Sequence, residues 1–156
     1  MSTRSYICRE NKDGTYTGIY CHSDGYLTYN GAMLVDHYND RDKVDKLISL
    51  GDLSILYPNI DPDPELPHSF EDRQDDVCVF YGRDRGEKDT EAKEVDLDNI
   101  NSDHWIEYCY VYGCDNVWRY FATGHLDEGL KDVNKALVDE YAKLGKVRPK
   151  DFYGYW

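Results

Sequence analysis

Ser5-Tyr6-Ile7-Cys8-Arg9 and Tyr16-Thr17-Gly18-Ile19-Tyr20-Cys21 are the two segments that decide the fold. In both, side chains that suit a buried face alternate with side chains that suit an exposed one, which is the period of a β-strand. Between them lies Asn11-Lys12-Asp13-Gly14, whose Asp-Gly pair tolerates the positive φ of a tight turn. The sequence therefore predicts a β-hairpin over residues 5–21.

Two short helices are predicted after the hairpin. Asn30 is a suitable N-cap for the first, in which the apolar residues Leu34 and Tyr38 follow helical spacing. The second begins near Asp40 and ends at Gly51, a residue type suited to a left-handed C-cap. We expect both helices to bury an apolar face on the sheet.

Three more strands and one longer helix are predicted in the rest of the chain. Strand patterns occur at residues 77–81, 105–112 and 117–121, and a C-terminal helix is indicated by an apolar stripe from Leu130 to Leu144. This order of elements predicts an α+β fold with a mainly antiparallel sheet of about five strands and the helices on one face. Residues 1–156 have the length of a single domain.

The composition favours a cytoplasmic protein. The sequence contains no run of about 18 apolar residues, which a membrane-spanning helix requires. Residues 1–5 lack the apolar stretch of a secretory signal. The chain has 5 cysteines without the spacing of a disulfide framework, so we expect thiols, most of them buried as small apolar side chains.

The net charge of −13 is concentrated in the middle of the chain. Residues 61–103 contain most of the excess of Asp and Glu over Lys and Arg, and residues 57–76 contain four of the 5 prolines. Proline removes backbone donors and like charges repel, so residues 57–76 are predicted to form an exposed, mobile surface loop. Because a negative surface repels nucleic acid, we expect no direct nucleic-acid binding.

Several short motifs resemble those of a group of small proteins encoded by bacteriophages and integrated mobile elements. They are Met1-Ser2-Thr3-Arg4-Ser5, Tyr20-Cys21-His22-Ser23-Asp24-Gly25-Tyr26, Asn30-Gly31 and Tyr81-Gly82-Arg83-Asp84-Arg85-Gly86. The resemblance covers about the first 55 residues and the central motif. It implies a phage or mobile-element origin and a location in the host cytoplasm. Small acidic proteins of that origin often antagonise host defence, as inhibitors of CRISPR nucleases or restriction enzymes.

The leading functional hypothesis is therefore a binding protein with an acidic contact surface. Its partner is expected to be a basic host protein, such as a nucleic-acid-handling defence complex, whose groove the carboxylates would occupy in place of a phosphate backbone. An acidic face that only keeps the protein in solution is the competing interpretation. The predicted partner-binding residues are Asp61, Asp63, Glu65, Glu71, Asp72, Asp75, Asp76, Glu87 and Asp89.

The main alternative is a module that sequesters a nucleotide signal. Arg83 and Arg85, in a turn between Gly82 and Gly86, have the residue type that binds phosphate in a bidentate manner. The competing interpretation is that both arginines pair with neighbouring acids. The other residues assigned to this alternative site are Tyr20, Tyr26, His22 and Asp24.

A small metal-dependent enzyme is the third hypothesis. His22, Asp24 and His37 have side chains that bind zinc, but their spacing matches no established zinc pattern. The sequence also contains no G-x-S-x-G, H-E-x-x-H or phosphate-binding glycine motif. We therefore predict no catalytic residue, no bound metal and no cofactor.

Overall fold

A computed structural model describes residues 2–149. Within these residues, eight strands form one mixed sheet in the order β4-β3-β2-β1-β6-β7-β8, and β5 pairs with the first half of β2 beside β3. The strands are β1 (Ser5–Glu10), β2 (Tyr16–Cys21), β3 (Leu53–Ile55), β4 (Val79–Phe80), β5 (Lys93–Val95), β6 (Tyr108–Tyr112), β7 (Trp118–Ala122) and β8 (Lys131–Asp132).

In the part of the chain that the structure describes, five α-helices connect and cover the strands. They are α1 (Ala32–His37), α2 (Arg41–Ser49), α3 (Tyr81–Arg85), α4 (Leu97–Asn101) and α5 (Val133–Ala142). A π-helical turn at Leu27–Gly31 leads into α1, and a 3-10 turn occupies Leu126–Glu128. No helix within residues 2–149 is long and apolar enough to cross a membrane.

The predicted β1–β2 hairpin is confirmed. The strands pair antiparallel from Ser5 opposite Cys21 to Glu10 opposite Tyr16. In the turn, Gly14 has a φ of 87°, and the Asp13 carboxylate accepts a hydrogen bond of 3.0 Å from the backbone N–H of Thr15. The Asp-Gly pair therefore closes the hairpin as its residue types suggest.

Both faces of the sheet are covered, so the prediction that all helices pack on one face is wrong. The first face packs against α1, α2 and α5, and its buried residues include Ile7, Ile19 and Tyr110. The second face packs against α4 and the segment that follows it, and it includes Cys8, Val111 and Phe121. Successive strand residues point to opposite faces, and this is why Ile7 and Cys8 belong to different clusters.

The prediction of about five mainly antiparallel strands is also wrong, although the α+β class is confirmed. The strands β1 and β6 pair in parallel, as do β2 and β3. The strands β3, β5 and β8 are only two or three residues long, which is too short for alternation to be recognised in the sequence. Parallel pairing joins segments distant in the chain and leaves no local signal.

The two predicted N-terminal helices form, but the first is capped differently. The buried Asn30 side chain donates to the Ser5 hydroxyl at 3.1 Å instead of capping α1. The Asp40 carboxylate accepts from the backbone N–H of Asp42, and Gly51 follows α2 with a φ of 82°, as predicted. The C-terminal helix α5 buries only Val133, Leu137 and Tyr141.

The cysteines follow the prediction for free thiols. Cys8, Cys21, Cys78 and Cys109 are buried, and Cys114 is exposed in the turn between β6 and β7. That turn is closed by a hydrogen bond of 3.0 Å from the backbone N–H of Gly113 to the carbonyl of Val117.

Candidate functional site

All nine carboxylates predicted to contact a partner are exposed. Seven of them lie in residues 57–76, which form no regular secondary structure between β3 and β4. The other two, Glu87 and Asp89, follow α3. We call residues 57–76 the acidic loop, and we call its seven carboxylates together with Glu87 and Asp89 the acidic surface.

Most of these carboxylates have no cationic partner. Asp61 forms an ion pair with Lys46, and Glu87 forms one of 3.1 Å with Arg85. Within residues 2–149, no ion pair is formed by Asp63, Glu65, Glu71, Asp72, Asp75, Asp76 or Asp89. Their charge is therefore directed to solvent or to a partner.

The backbone of the acidic loop is fixed by Gln74. The side-chain oxygen of Gln74 accepts from the N–H of Asp63 at 2.7 Å, and its amide nitrogen donates to the carbonyl of the same residue at 2.9 Å. The amide nitrogen also reaches the carbonyl of Leu66 at 3.2 Å. One uncharged side chain thus joins the two ends of a proline-rich segment.

A buried cluster of Arg83, Asp84 and His68 fastens the acidic loop to α3. Arg83 donates to the carbonyl of Ile60 at 2.7 Å, to the carbonyl of Cys78 at 2.9 Å and to the Asp84 carboxylate at 2.9 Å. His68 Nε2 lies 3.3 Å from Asp84 Oδ2, and both side chains are only 3% exposed. The acidic loop therefore has a buried base, which the prediction of a freely protruding loop omits.

The geometry of His68 defines its tautomer. The backbone N–H of Gln74 donates to His68 Nδ1 at 3.0 Å, so this nitrogen has no proton and Nε2 is the protonated one. Burial raises the pKa of Asp84, but the hydrogen bonds from Arg83 and from the Phe80 N–H outweigh it and leave that pKa below its ordinary value. Asp84 is therefore ionised at neutral pH.

Arg85 is also engaged within the protein. Its guanidinium carbon lies 4.3 Å from the centre of the Phe70 ring and 5.4 Å from that of Tyr81, and the group pairs with Glu87. The sequence between Gly82 and Gly86 forms the end of α3, and Gly86 ends the helix with a φ of 73°. Arg83 therefore holds the acidic loop through its hydrogen bonds, whereas Arg85 contacts Phe70, Tyr81 and Glu87 and its side chain is still 43% exposed.

The remaining residues of the alternative ligand site occupy two places. Tyr20 and His22 project from the second face, where the Tyr20 hydroxyl and His22 Nδ1 are 2.8 Å apart. Asp24 has a φ of 55° in the following turn, and the Tyr26 ring centre lies 6.1 Å from that of Tyr29. Within residues 2–149, none of these residues forms a hydrogen bond or ion pair with Arg83.

The zinc hypothesis receives no support from the arrangement of side chains. Within residues 2–149, no three His, Cys, Asp or Glu side chains are grouped so that they hold a metal ion. Desolvation and the charge of Arg4 lower the pKa of His22. His22 instead belongs to a pair with Tyr20.

The sequence does not reveal the two anchors of the acidic loop or the position of Trp105. Gln74 and His68 are polar residues of a loop, and no periodic pattern marks them as anchors. Trp105 was assigned to a strand, but it precedes β6 and is 73% exposed. The one indication of a turn before Trp105 in the sequence is the Asp103-His104 pair that precedes it, since Asp is a common turn residue.

Searches of protein-family models, curated protein sequences and solved structures find no match to this chain.

Proposed function

We propose that this protein acts by binding and that the acidic surface is its contact region. The partner is a basic protein of the host cell, and the short motifs that resemble those of phage and mobile-element proteins favour a host-defence complex such as a CRISPR nuclease or a restriction enzyme. In this proposal the protein is an inhibitor without catalytic activity.

The main support is that the exposed carboxylates stand on a fixed backbone. Gln74 and the Arg83–Asp84–His68 cluster hold the backbone of the acidic loop in place. Neither of them forms a hydrogen bond with any of the seven carboxylates of the acidic surface that form no ion pair. A purely solubilising segment does not need such internal anchoring. Fixed charges favour binding because less conformational entropy is lost when the complex forms.

The charge density suits a protein that binds nucleic acid. Duplex DNA presents about one negative charge per 1.7 Å of its axis, and a groove that binds DNA has matching lysines and arginines. The acidic surface has nine carboxylates, and residues 61–89 contain only four basic residues, Arg73, Arg83, Arg85 and Lys88. An association of this kind is accelerated by electrostatic attraction and weakened by salt.

A charge-reversal variant tests the proposal. Glu71, Asp72, Asp75 and Asp76 are exposed and form no ion pair within residues 2–149, so changing all four to Lys relieves like-charge repulsion. Residue 76 has a φ of 61°, which Asp tolerates better than Lys, so we expect the free energy of unfolding to change by less than about 1 kcal/mol. The immobilised protein is used to isolate partners from a host lysate at low and high salt. Binding of each purified partner is then measured by calorimetry with both forms of the protein.

The matched control reverses four exposed acids outside the acidic surface, namely Asp42, Asp127, Asp139 and Glu140. It produces the same change in net charge. The proposal requires that affinity fall with the first variant and stay near that of the original protein with the control. Equal loss in both variants would mean that only net charge matters, and unchanged affinity in both would remove the acidic surface from the interface.

A further inference from the structure

A cavity beside the start of β1 is separate from the acidic surface. It has a volume of about 340 Å³, which falls within the range of roughly 300–1,000 Å³ for small-molecule pockets. Its walls come from the segment before β1 and the segment before β6. The lining residues are Ser2, Thr3, Arg4, His104, Trp105 and Glu107.

Hydrogen bonds fix both walls of this cavity. The N–H of Gly25 donates to the carbonyl of Thr3 at 2.8 Å, and the N–H of Glu107 donates to the carbonyl of Arg4 at 2.9 Å. On the other wall, the Asp103 carboxylate accepts from the N–H of Trp105 at 2.9 Å. The cavity is therefore largely formed before any ligand binds, and this lowers the entropy lost on binding.

Trp105 presents an aromatic surface to this cavity. Its side chain is 73% exposed, and the guanidinium carbon of Arg4 lies 5.4 Å from the ring centre. Because the arginine covers one region of an otherwise exposed ring, the rest of the indole is free to stack on a planar group. Stacking of a base on an aromatic side chain contributes about 1–3 kcal/mol.

Arg4 is the cation of this site, and the Tyr20 hydroxyl is a hydrogen-bond partner of its guanidinium. Among the arginines of residues 2–149, Arg4 is the one whose guanidinium donates neither to a carboxylate nor to a backbone carbonyl. Its charge reaches the Tyr20 and His22 pair at the edge of the second face. A guanidinium without a carboxylate is a suitable partner for phosphate.

We propose that this cavity binds a nucleoside 5′-phosphate, with the base stacked on Trp105 and the phosphate bound by Arg4. The hydroxyls of Ser2 and Thr3 and the imidazole of His104 are further donors to the phosphate oxygens. The Glu107 carboxylate is the acceptor for the ribose hydroxyls. Long nucleic acids are disfavoured because many phosphates would approach a chain of net charge −13.

Titration with adenosine 5′-monophosphate, followed by nuclear magnetic resonance, tests this site. We expect saturable shifts of the Trp105 indole N–H and the His22 ring signals. Arg4→Gln and Trp105→Leu should each weaken binding by about tenfold or more, since one removes a charged hydrogen-bond donor and the other a stacking surface. Adenosine and inorganic phosphate, each lacking half of the ligand, should bind more weakly by a similar factor.

Arg73→Gln is the matched control. Arg73 also contacts an aromatic ring and forms no ion pair within residues 2–149, but it lies in the acidic loop. The affinity of the Arg73→Gln variant for adenosine 5′-monophosphate should stay within about twofold of that of the unsubstituted protein. A linear adenosine dinucleotide is a larger ligand with the same base and phosphate. Its affinity is compared with that of the mononucleotide.

Three results would overturn the proposal. These are the absence of saturable shifts at millimolar nucleotide, equal affinity for adenosine and adenosine monophosphate, or unchanged affinity in Arg4→Gln. Both substituted side chains are at least partly exposed, so a dispersed spectrum of each variant confirms that it is folded. Partner binding by the acidic surface is measured separately, so failure here leaves that proposal unaffected.

Discussion

Gly51 ends α2 in the left-handed region, with a φ of 82°, where the chain meets the loop before β5. A Cβ atom at this position would lie 2.2 Å from the carbonyl oxygen of Thr90. That oxygen also accepts a hydrogen bond of 2.8 Å from the N–H of Asp52, so the loop cannot easily withdraw. The absence of a side chain at Gly51 is therefore required by both backbone angle and space.

We predict that Gly51→Ala lowers the free energy of unfolding more than Gly14→Ala does. Gly14 has a similar φ of 87°, but nothing lies within 4 Å of a Cβ built there. The left-handed conformation costs both variants about 1–2 kcal/mol, and the clash adds roughly 1–3 kcal/mol for Gly51 alone. Urea unfolding measures the free energy of unfolding of both variants. Equal destabilisation would contradict the close contact with Thr90.

A second prediction at the residue scale concerns His22. Burial lowers the pKa of His22, and the positive charge of Arg4 lowers it further. Removing that charge in Arg4→Gln should therefore raise the pKa of His22 toward its ordinary value near 6.5. The titration of the imidazole signals measures it, with Arg41→Gln as the control. A pKa that stays the same would place Arg4 away from the Tyr20–His22 pair.

The acidic loop depends on the element beneath it. The helix α3 has five residues and presents Arg83 and Asp84 to the acidic loop. The acidic loop has no regular secondary structure, so its conformation is set by this short helix and by His68. Asp84 accepts from both Arg83 and the backbone N–H of Phe80. Losing its charge removes one partner from Arg83 and from His68 together.

We predict that Asp84→Asn destabilises the protein at neutral pH and that the difference fades in acid. The folded-state pKa of Asp84 is lowered, so ionised Asp84 contributes stability above its unfolded pKa of about 3.9 and loses it as the pH falls through the folded value. Urea unfolding at pH 7 and near pH 2.5 measures the effect. Asp115→Asn, which removes an exposed ion pair, should have a smaller effect.

The extent to which most elements can be predicted follows from the length of their pattern. The exception is β4, because only Val79–Phe80 of the strand predicted at residues 77–81 is a strand and Tyr81 begins α3. The strands β1, β2, β6 and β7 have five or six residues and were all recognised from alternation. The strands β3, β5 and β8 and the helices α3 and α4 have two to five residues, and neighbours in space decide them. The exposed carboxylates were predictable from charge. Their buried anchors were not, because a polar side chain in a loop has no periodic signal.

At the scale of the whole molecule, the excess of negative charge should make stability depend on salt. The chain has 31 acidic residues against 18 lysines and arginines, and many of the acids are unpaired in and around the acidic surface. Repulsion between exposed charges is screened when the Debye length falls from about 10 Å at 0.1 M salt to about 3 Å at 1 M.

We therefore predict that sodium chloride raises the melting temperature. The increase should be smaller in the variant with Lys at positions 71, 72, 75 and 76, since its net charge is −5 instead of −13. Thermal unfolding followed by circular dichroism at 0.05 and 0.5 M salt compares the two proteins. An identical increase in both would indicate that salt acts through a general effect on apolar burial and not through charge repulsion.

The parallel pairing of β1 with β6 also affects the order of events during synthesis. Cys8 and Cys109, which lie side by side across these strands, are 101 residues apart in the chain. The hairpin of β1 and β2 can form as soon as both strands leave the ribosome, but the other edge of β1 has no partner until β6 follows. At a translation rate of about 5–20 residues per second, that edge remains open for roughly 5–20 seconds. A newly made chain thus presents unpaired N–H and C=O groups for long enough to meet a chaperone or another nascent chain.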